Sequence, residues 1–341
     1  MRAIATSTDV ARLAGVSQSA VSRAFTPGAS VSPGMRLRVL RAAAELDYQP
    51  NALARSLSTQ RSRIVGVALA YLNNQYYPMA LEKLTLRLQA EGYHCMVFIA
   101  QNKEPADAIV STFLQYQVDA VILASVALST PWVAACERAG VPVVLFNRSH
   151  EEPRYSAVTS ANVEGGREVA AFLAAGGHGR IAYVAGWEGA ATQRDREAGF
   201  RQGLAESGAE LFERAVGDFD DGRAREAALA LFAGRPPGER PDAVFVCNDH
   251  MALIVMDVLR FELGLRVPED VSVVGYDDVP QAAARAYALT TVRQPVNRMV
   301  EATVRLLLDQ VERPGTPPGR VEVPGPLMVR GSARIPEGYG P

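Results

Sequence analysis

Residues 9–25 read DVARLAGVSQSAVSRAF, and this stretch predicts two short helices joined by a tight turn at Gly15. Thr6 is placed to cap the first helix, and Asp9, three residues on, is the acidic member of a capping box. Ser17 is placed to cap the second helix. The helical spacing predicts inward-facing side chains at these positions: Val10, Leu13, Ala14, Val21 and Ala24.

The second helix leaves four polar side chains facing outward: Gln18, Ser19, Ser22 and Arg23. Small residues at Ala11 and Ala20 allow the two helices to cross closely. The pattern is typical of a helix-turn-helix, in which the first turn of the second helix reads base edges in the major groove. The alternative is an ordinary pair of antiparallel helices within a helical core.

The charge distribution separates the N-terminal segment from the rest of the chain. Residues 1–63 contain nine arginines and three acidic residues, so they carry +6, whereas the whole chain of 341 residues carries −2. A basic segment on an acidic body indicates a polyanionic partner for the first and not for the second. We expect that partner to be double-stranded DNA.

Other classes of protein find little support in the composition. The apolar runs are too short to span a membrane, and from the first residues we expect no signal peptide. Cys95, Cys136 and Cys247 are dispersed and lack metal-ligand spacing, so we expect reduced core thiols in a cytoplasmic protein without a metal or cofactor. The four histidines accompany no nucleophile pattern, and no Gly-rich phosphate loop follows a strand, so no enzyme is predicted.

Ser32 and Pro33 open a third helix, whose predicted apolar face comprises Val39, Leu40, Ala43 and Leu46. Residues 51–59, NALARSLST, form a short helical segment that is unstable alone, since two turns do not recover the cost of nucleation. Residues 59–63 form a polar linker. We therefore divide the chain into a headpiece (1–50), a hinge (51–63) and a core (64–341).

From residue 64 onward, short β-branched runs alternate with helical segments, which predicts parallel sheets covered by helices on both faces. The predicted strands are 64–70, 95–100, 120–125, 141–147, 180–186, 242–248 and 271–276. The predicted helices are 78–92, 104–117, 131–139, 164–176, 195–208, 222–233, 250–264 and 296–312. This much structure exceeds one comfortable domain, so we expect an α/β core of two doubly wound lobes. Polar residues follow several strands, where such sheets bind ligands.

The chain resembles the lactose-repressor/galactose-repressor (LacI/GalR) family of transcription factors. Five segments carry the resemblance in the family's order: DVARLAGVSQSAVSRAF, DYQPNALARSLST, FVCNDHMAL, VSVVGYDDVP and LTTVRQP. The resemblance implies a three-helix headpiece, a hinge helix and a core like a periplasmic sugar-binding protein. Its N-lobe would span about 64–162 plus 295–327, and its C-lobe about 163–294 plus the C-terminal end. It also implies a homodimer on a pseudopalindromic operator and a small effector between the lobes.

By this resemblance, Gln18, Ser19 and Arg23 occupy the base-reading positions, where glutamine pairs with adenine and arginine with guanine. The phosphate-contact candidates are Thr6, Ser17, Ser22 and Asn51. The alternative for each is that it is simply a helix cap or an exposed surface residue. Leu57 corresponds to the hinge leucine that wedges between base pairs from the minor groove, with Ala54 and Arg55 in the same groove. The alternative for Leu57 is packing against Leu53 or its dimer mate.

The resemblance also implies a set of effector-binding residues: Asn74, Tyr76, Tyr77, Asn147, Arg148, Arg196, Phe219, Asn248, Asp277 and Gln294. Tyr77 and Phe219 alternatively belong to the core, and Asn248 and Gln294 alternatively position the lobes. Asn147 and Ala161 stand where many relatives carry acidic residues. Because this tilts the cleft positive, we expect a sugar acid or sugar phosphate more readily than a neutral sugar.

The chain is thus predicted to be a ligand-controlled regulator of transcription and a repressor. The rival from another class is a solute-binding protein of a transport system, which would share the core but has no use for residues 1–63. The C-terminus lacks a leucine-heptad tail, so a dimer is expected rather than a tetramer.

Overall fold

The computed structural model describes residues 5–26, 28–49, 61–70, 72–100, 107–125, 130–149 and 154–340. The chain divides into two compact units, Met1–Arg63 and Ile64–Pro341. The predicted hinge residues lie outside the described part of the chain: Asn51, Ala54, Arg55 and Leu57.

The first unit contains three helices among its described residues: α1 (Ser7–Ala14), α2 (Gln18–Phe25) and α3 (Pro33–Glu45). The predicted caps are confirmed. Thr6 and Asp9 form the capping box, Ser17 caps α2, and Ser32 caps α3 with Pro33 in its first turn. Gly15 ends α1 with φ +64°, a left-handed conformation that glycine adopts without steric cost.

The core of this unit consists of Val10, Ala11, Val21, Ala24, Val39, Ala42 and Ala43. Two predictions were wrong, because Leu13 is 46% exposed and Leu40 is 43% exposed. Successive helical residues are rotated by about 100°. The buried faces are centred on Val10–Ala11 in α1 and on Val39–Ala43 in α3, so each leucine lies about a quarter turn or more away. Small residues occupy the buried faces and allow the helices to approach closely.

The second unit contains the strands β1 (Ile64–Leu69), β2 (His94–Ile99), β3 (Ala120–Ala124), β4 (Val143–Phe146), β5 (Ser156–Ser160), β6 (Ile181–Ala185), β7 (Glu213–Val216), β8 (Ala243–Val246), β9 (Ser272–Asp277), β10 (Thr290–Arg293), β11 (Arg320–Val323) and β12 (Leu327–Met328). Its helices are α4 (Tyr76–Ala90), α5 (Asp107–Gln115), α6 (Thr130–Ala139), α7 (Asn162–Ala175), α8 (Ala191–Glu206), α9 (Asp221–Phe232), α10 (Asp249–Asp257) and α11 (Val296–Glu312).

Within the described residues these strands form two six-stranded sheets. The first has the order β11-β5-β4-β3-β1-β2 and is parallel throughout; the second has the order β12-β10-β9-β8-β6-β7, with only β12 antiparallel. We call the sheets, with the helices packed on them, the first and second lobes. The chain passes between the two sheets three times, after β5, β10 and β11. This confirms the predicted α/β fold of two doubly wound lobes.

Several elements escaped the sequence analysis. The short strands β5, β7, β10 and β11 were not predicted, because their four or five residues mix Ser, Thr, Arg and Glu with apolar ones and give no apolar run. Strand β12 was not predicted because its two residues are too few to give a pattern. The helix predicted at 195–208 begins already at Ala191. The helix predicted at 250–264 ends at Asp257 and continues as a π-helical turn, Val258–Glu262.

The register aligns the carboxyl ends of neighbouring strands. In the first lobe Leu69 lies beside Ala124, and Ala124 lies beside Phe146. The residues that follow these strands therefore meet at one edge of the sheet, where parallel sheets bind ligands. In the second lobe Arg293 lies beside Asp277, which brings the end of β10 to the same edge as the end of β9.

Helices α7 and α8 approach so closely that glycine is required where they touch. A Cβ atom on Gly199 would lie 1.9 Å from the carbonyl oxygen of Val163, and one on Gly166 would lie 2.2 Å from the carbonyl oxygen of Arg196. Neither obstacle is a flexible side chain, so the helices themselves would have to move apart.

We therefore expect G199A to lower the free energy of unfolding of the second unit by about 1–3 kcal/mol, the usual cost of overpacking a well-packed contact. The control is G222A in the first turn of α9, where a Cβ would meet only Asp220 Oδ1 at 3.4 Å. Alanine there should stabilise by about 0.5–1 kcal/mol, because glycine loses more entropy on folding. Urea unfolding of both variants measures the difference, and equal stabilities would contradict the close approach.

Candidate functional site

The outer surface of α2 carries the predicted base-reading residues. Gln18, Ser19 and Arg23 are exposed, as are Ser17 and Ser22. Gln18 Nε2 donates to Ser7 Oγ at 2.9 Å, and Arg23 Nε donates to the carbonyl of Ser19 at 3.4 Å. Gln18 is thereby hydrogen-bonded to the start of α1, and Arg23 is hydrogen-bonded to the preceding turn of α2.

Two interactions that flank α2 fix the geometry of this surface. Thr6 donates to Asp9, and this hydrogen bond lowers the pKa of the Asp9 carboxyl below its usual value, which keeps it charged at the N-terminus of α1. Arg36 in α3 donates to the carbonyls of Ala24 at 2.8 Å and Ala29 at 3.4 Å. Arg36 thereby ties the C-terminal end of α2 to α3, a role that its surface-like sequence position did not suggest.

The second unit contains a polar cleft of about 310 Å³, counting space open to solvent. It lies at the carboxyl ends of the strands and is lined by Asn74, Tyr76, Tyr77, Ser125, Asn147, Arg148, Thr192, Arg196, Phe219, Asn248 and Asp277. The structure thus brings together nine of the ten residues proposed from the sequence. The exception is Gln294, which lies behind Asp277 and is hydrogen-bonded to it.

Arg196 is the centre of the second-lobe side. It is buried, and its guanidinium lies 3.7 Å from the ring centroid of Tyr276. Its Nε donates to Asn162 Oδ1 at 2.9 Å and its Nη1 donates to the carbonyl of Cys247 at 2.7 Å. Nη1 also lies 3.6 Å from Asp277 Oδ1. Burial disfavours the charged form, but Asp277, acting together with Cys247, Tyr276 and Tyr183, keeps the pKa of Arg196 above its usual value.

Asp277 is the last residue of β9 and Asp278 follows it, and the two carboxylates have separate partners. Asp277 Oδ1 accepts from Gln294 Nε2 at 2.5 Å, whereas Asp278 accepts from Arg293 and Arg330, each at 2.6 Å. The two carboxylates therefore do not form an acid–base pair. Instead they hold residues 293 and 294, where the chain leaves the second sheet for the first lobe.

A second buried carboxylate lies beneath Asp277. Asp249 Oδ2 accepts from the backbone N–H of Val279 at 2.9 Å, and its Oδ1 accepts from Thr291 Oγ1 at 2.6 Å. Burial, followed by the charge of Asp277, raises the pKa of Asp249 to about 7. Burial raises the pKa of Asp277 to about 6, although Arg196 and Gln294 act in the opposite direction. Asp249 fixes the loop that carries Asp277.

The first-lobe side is formed by residues after β1, β3 and β4. Asn147 Nδ2 donates to the hydroxyl of Tyr77 at 3.4 Å, and Arg148 Nη2 donates to Ser125 Oγ at 3.1 Å. Tyr76 is buried and its hydroxyl donates to Met299 Sδ at 3.5 Å. Among the described residues, Asn147 Oδ1 and Gln294 Oε1 are buried acceptors that receive no hydrogen bond.

Asn248 and Phe219 complete the second-lobe side of the cleft. Asn248 lines the cleft and also caps α10, with Oδ1 accepting from the N–H of Met251. The Phe219 ring lies over Gly186, where a Cβ would approach it to 2.2 Å. Arg194, two residues before Arg196, does not line the cleft and instead donates to the carbonyl of Glu188 at the surface.

The sequence analysis missed Ser125, Thr192 and the supporting ring of Tyr276. Ser125 has φ +62°, a left-handed backbone conformation that nothing in the local sequence predicted. Thr192 escaped because the start of α8 was placed four residues too late. Tyr276 is the aromatic residue of the GYDD segment and immediately precedes the acidic pair. That position was the available sequence signal.

Across the described parts of the chain, no group of three or more His, Cys, Asp or Glu side chains has a metal-binding arrangement. A search of the same residues finds no helix that combines the length and apolarity needed to cross a membrane.

Comparison with known proteins identifies both units. Residues 6–51 match the model for bacterial regulatory proteins of the lacI family, and residues 170–333 match a periplasmic binding protein-like domain. The HTH-type transcriptional regulator CelR of Thermobifida fusca is 35% identical over 95% of this chain and 96% of its own length. The chain belongs to the LacI family.

Other members of the LacI family resemble this chain over nearly its full length. The ribose operon repressor of Escherichia coli K12 is 30% identical, covering 97% of this chain and 100% of its own. A lac repressor dimer bound to operator and the anti-inducer ONPF superposes with a TM-score of 0.85 at 29% identity, covering 96% and 98% of the two chains. A CelR–cellobiose complex superposes with a TM-score of 0.72 at 32% identity, covering 96% of this chain and 99% of its own. This LacI-family chain is therefore a helix-turn-helix transcriptional regulator and not an enzyme, and the predicted family, fold class and type of function are confirmed.

The raised pKa values of Asp249 and Asp277 predict a specific dependence of stability on pH. The pKa of each carboxyl is 3.8 in the unfolded chain and about 6 (Asp277) or about 7 (Asp249) in the folded chain. At pH values between these, the folded chain retains protons that the unfolded chain has lost. These two groups therefore make the free energy of unfolding fall as pH rises through this window. One pKa unit corresponds to about 1.4 kcal/mol.

We expect D249N to reduce the loss of stability between about pH 5 and about pH 8 by on the order of 1–3 kcal/mol, since it removes one of the two titrations. Urea unfolding at both pH values measures the change. D309N, which removes a surface carboxylate paired with Arg313, is the matched control. A D249N profile parallel to that of the wild type would show that Asp249 is ionised throughout.

Proposed function

We propose that this chain is a repressor that binds a pseudopalindromic operator as a homodimer in the cytoplasm, under the control of a carbohydrate-derived effector in the cleft. We assign residues 1–50 to the DNA-binding headpiece, 51–63 to the hinge, and 64–341 to the core that binds the effector and dimerises. The observation that carries the proposal is the presence, in one LacI-family chain, of an exposed polar face on α2 and a polar cleft lined by nine sequence-predicted residues.

Sequence reading is assigned to Gln18, Ser19 and Arg23. Their positions on the first two turns of α2 suit insertion of that helix into the major groove. Thr6, Ser17 and Ser22 supply hydroxyls near helix N-termini and along the same surface, which suits phosphate contacts. For the hinge we retain the assignments of Asn51 to a phosphate and of Ala54, Arg55 and Leu57 to the minor groove.

Dimerisation is supported by an apolar surface on the first lobe. Strand β2 is an edge strand of its sheet, and Ile99 on it is 52% exposed, while Leu86 on the neighbouring helix α4 is 60% exposed. A strand edge beside exposed apolar side chains offers a surface on which another chain can pack. The lac repressor that superposes on this chain is described as a dimer on its operator.

Control by an effector is supported by the bonds at the cleft. Gln294 and Arg293 lie where the chain leaves the second sheet for the first lobe, and each bonds to one carboxylate of the Asp277–Asp278 pair. A ligand that donates hydrogen bonds to the Asp277 carboxylate changes the energy of this connection. Such a ligand shifts the lobes only as far as its affinities for the two arrangements differ.

A carbohydrate derivative suits the lining, because hydroxyls match the amides, hydroxyls and carboxylate that surround the space. Structures of relatives contain cellobiose or ribose. The lining here includes two arginines, Arg148 and Arg196, and a single carboxylate, Asp277. We infer that the cleft favours an anionic derivative, a sugar acid or a sugar phosphate.

The base-reading assignment predicts that R23A weakens binding to an operator selected from a random duplex pool by about 1–3 kcal/mol and relaxes selection at one position in each half-site. Fluorescence anisotropy across a salt series measures affinity, and repeated selection measures specificity. R313A removes one exposed arginine from the core and serves as the control. Equal weakening on operator and random duplex would reassign Arg23 to a phosphate, and absence of binding at low salt would remove the DNA-binding function.

The effector assignment predicts that D-gluconate or D-ribose 5-phosphate raises the melting temperature more than cellobiose or D-ribose does, because a bound ligand stabilises the folded state according to its affinity. R148M should reduce the shift with the anionic compounds more than with the neutral sugars. Isothermal titration confirms the ranking. Tight binding of a neutral sugar together with no binding of its acid or phosphate would contradict the anionic preference, while leaving the cleft as the effector site.

A further inference from the structure

The side chains of Arg148 and Trp187 meet across the two lobes. Arg148 follows β4 of the first sheet, and Trp187 follows β6 of the second. The guanidinium carbon of Arg148 lies 5.6 Å from the centroid of the Trp187 ring. This is within the distance at which an arginine and an indole attract each other through the cation–π interaction.

Each partner is held by its own lobe. Arg148 Nη2 donates to Ser125 Oγ at 3.1 Å, on the first lobe. The Trp187 ring is folded over Gly189, where a Cβ would come within 2.3 Å of it. The loop between them is fastened by Glu188, which pairs with Arg214 on β7 at 2.6 Å. The contact therefore joins two anchored groups.

The position of the contact relates it to closure of the cleft. Arg148 is buried and lines the cavity, whereas Trp187 is partly exposed and is not among the lining residues. The pair thus lies at the margin of the cavity, where the lobes come together. No ligand contact is required of Trp187 for it to influence how readily the lobes close.

We propose that Trp187 and Arg148 form a latch between the lobes, and that Trp187 is a positioning residue for effector binding. Because Ser125 holds the Arg148 guanidinium on the first lobe, the contact with Trp187 stabilises the closed arrangement of the lobes. A ligand that binds only this arrangement has an apparent affinity proportional to the closed fraction. Loss of the latch then weakens every such ligand by the same factor, whatever its charge. This inference rests on the proposed effector function for its affinity readout, but not for its spectroscopic one.

The contact itself is tested without a ligand. In the full chain carrying W132F, Trp187 is the remaining tryptophan, and acrylamide quenching of its fluorescence reports access to the ring. R148A uncovers one face of the indole and is expected to increase the quenching constant. R266A, which removes an exposed arginine paired with Asp270, should leave the constant unchanged. Equal quenching in the R148A and parent proteins would overturn the latch.

The role in closure is tested with W187L and W187F, titrated calorimetrically with D-ribose, cellobiose, D-gluconate and D-ribose 5-phosphate. For each compound that binds the wild type, W187L is expected to lower the affinity by a common factor of about 2–30, the equivalent of a cation–π contact of about 0.5–2 kcal/mol. W187F keeps an aromatic face and should lose less. A loss confined to the anionic compounds, or no loss, would overturn the closure role. If none of the four binds the wild type, the proposed effector class fails while the quenching result still decides the latch.

Discussion

The buried ion pair between Arg196 and Asp277 is the interaction on which the geometry of the core depends. A charged guanidinium is costly to remove from water unless it is paired and hydrogen-bonded. Here the cost is offset by Asp277, Asn162, the carbonyl of Cys247 and the ring of Tyr276. These partners come from α7, β9 and the end of β8, so four parts of the second lobe meet at one side chain. Hydrophobic packing alone would not specify that junction, whereas a set of directional bonds does.

The close packing of α7 on α8 is the condition for this junction. The carbonyl oxygen of Arg196 lies where a Cβ on Gly166 would be, and Gly199 lies against Val163 one turn further on. Because α7 also begins with Asn162, the same contact brings the amide that accepts from Arg196 into place. The same pair of helices therefore determines both how closely the backbones approach and which side chains interact. It supplies Arg196 and the Asn162 amide that accepts from it.

The sequence was informative wherever local patterns coincide with chemistry. Caps, alternating strands and helices, and the polar residues after strands are local signals, and they predicted the fold and most of the cleft. The failures have a different origin. Whether Leu13 and Leu40 are buried depends on which face of a short helix packs against its neighbour. The spacing of apolar residues does not decide this. Ser125 depends on a left-handed backbone, and Trp187 on the distance between two lobes. These are tertiary quantities, and a single sequence carries no local signal for them.

The free reading helix satisfies its own polar groups, and this affects how specificity arises. Gln18 already donates to Ser7, and Arg23 already donates to the carbonyl of Ser19. Contact with a base edge exchanges these bonds for others, so the net gain in affinity is smaller than the strength of the new bonds. At a mismatched base the side chain loses its hydrogen bond within the protein and gains none from the base. The free-energy penalty for a mismatch is therefore not reduced in this way. Under the proposed assignment of Gln18 and Arg23 to base reading, affinity comes mainly from the basic charge of residues 1–63 and discrimination comes from α2. That division leaves total affinity open to adjustment from the core without altering which sequence is read.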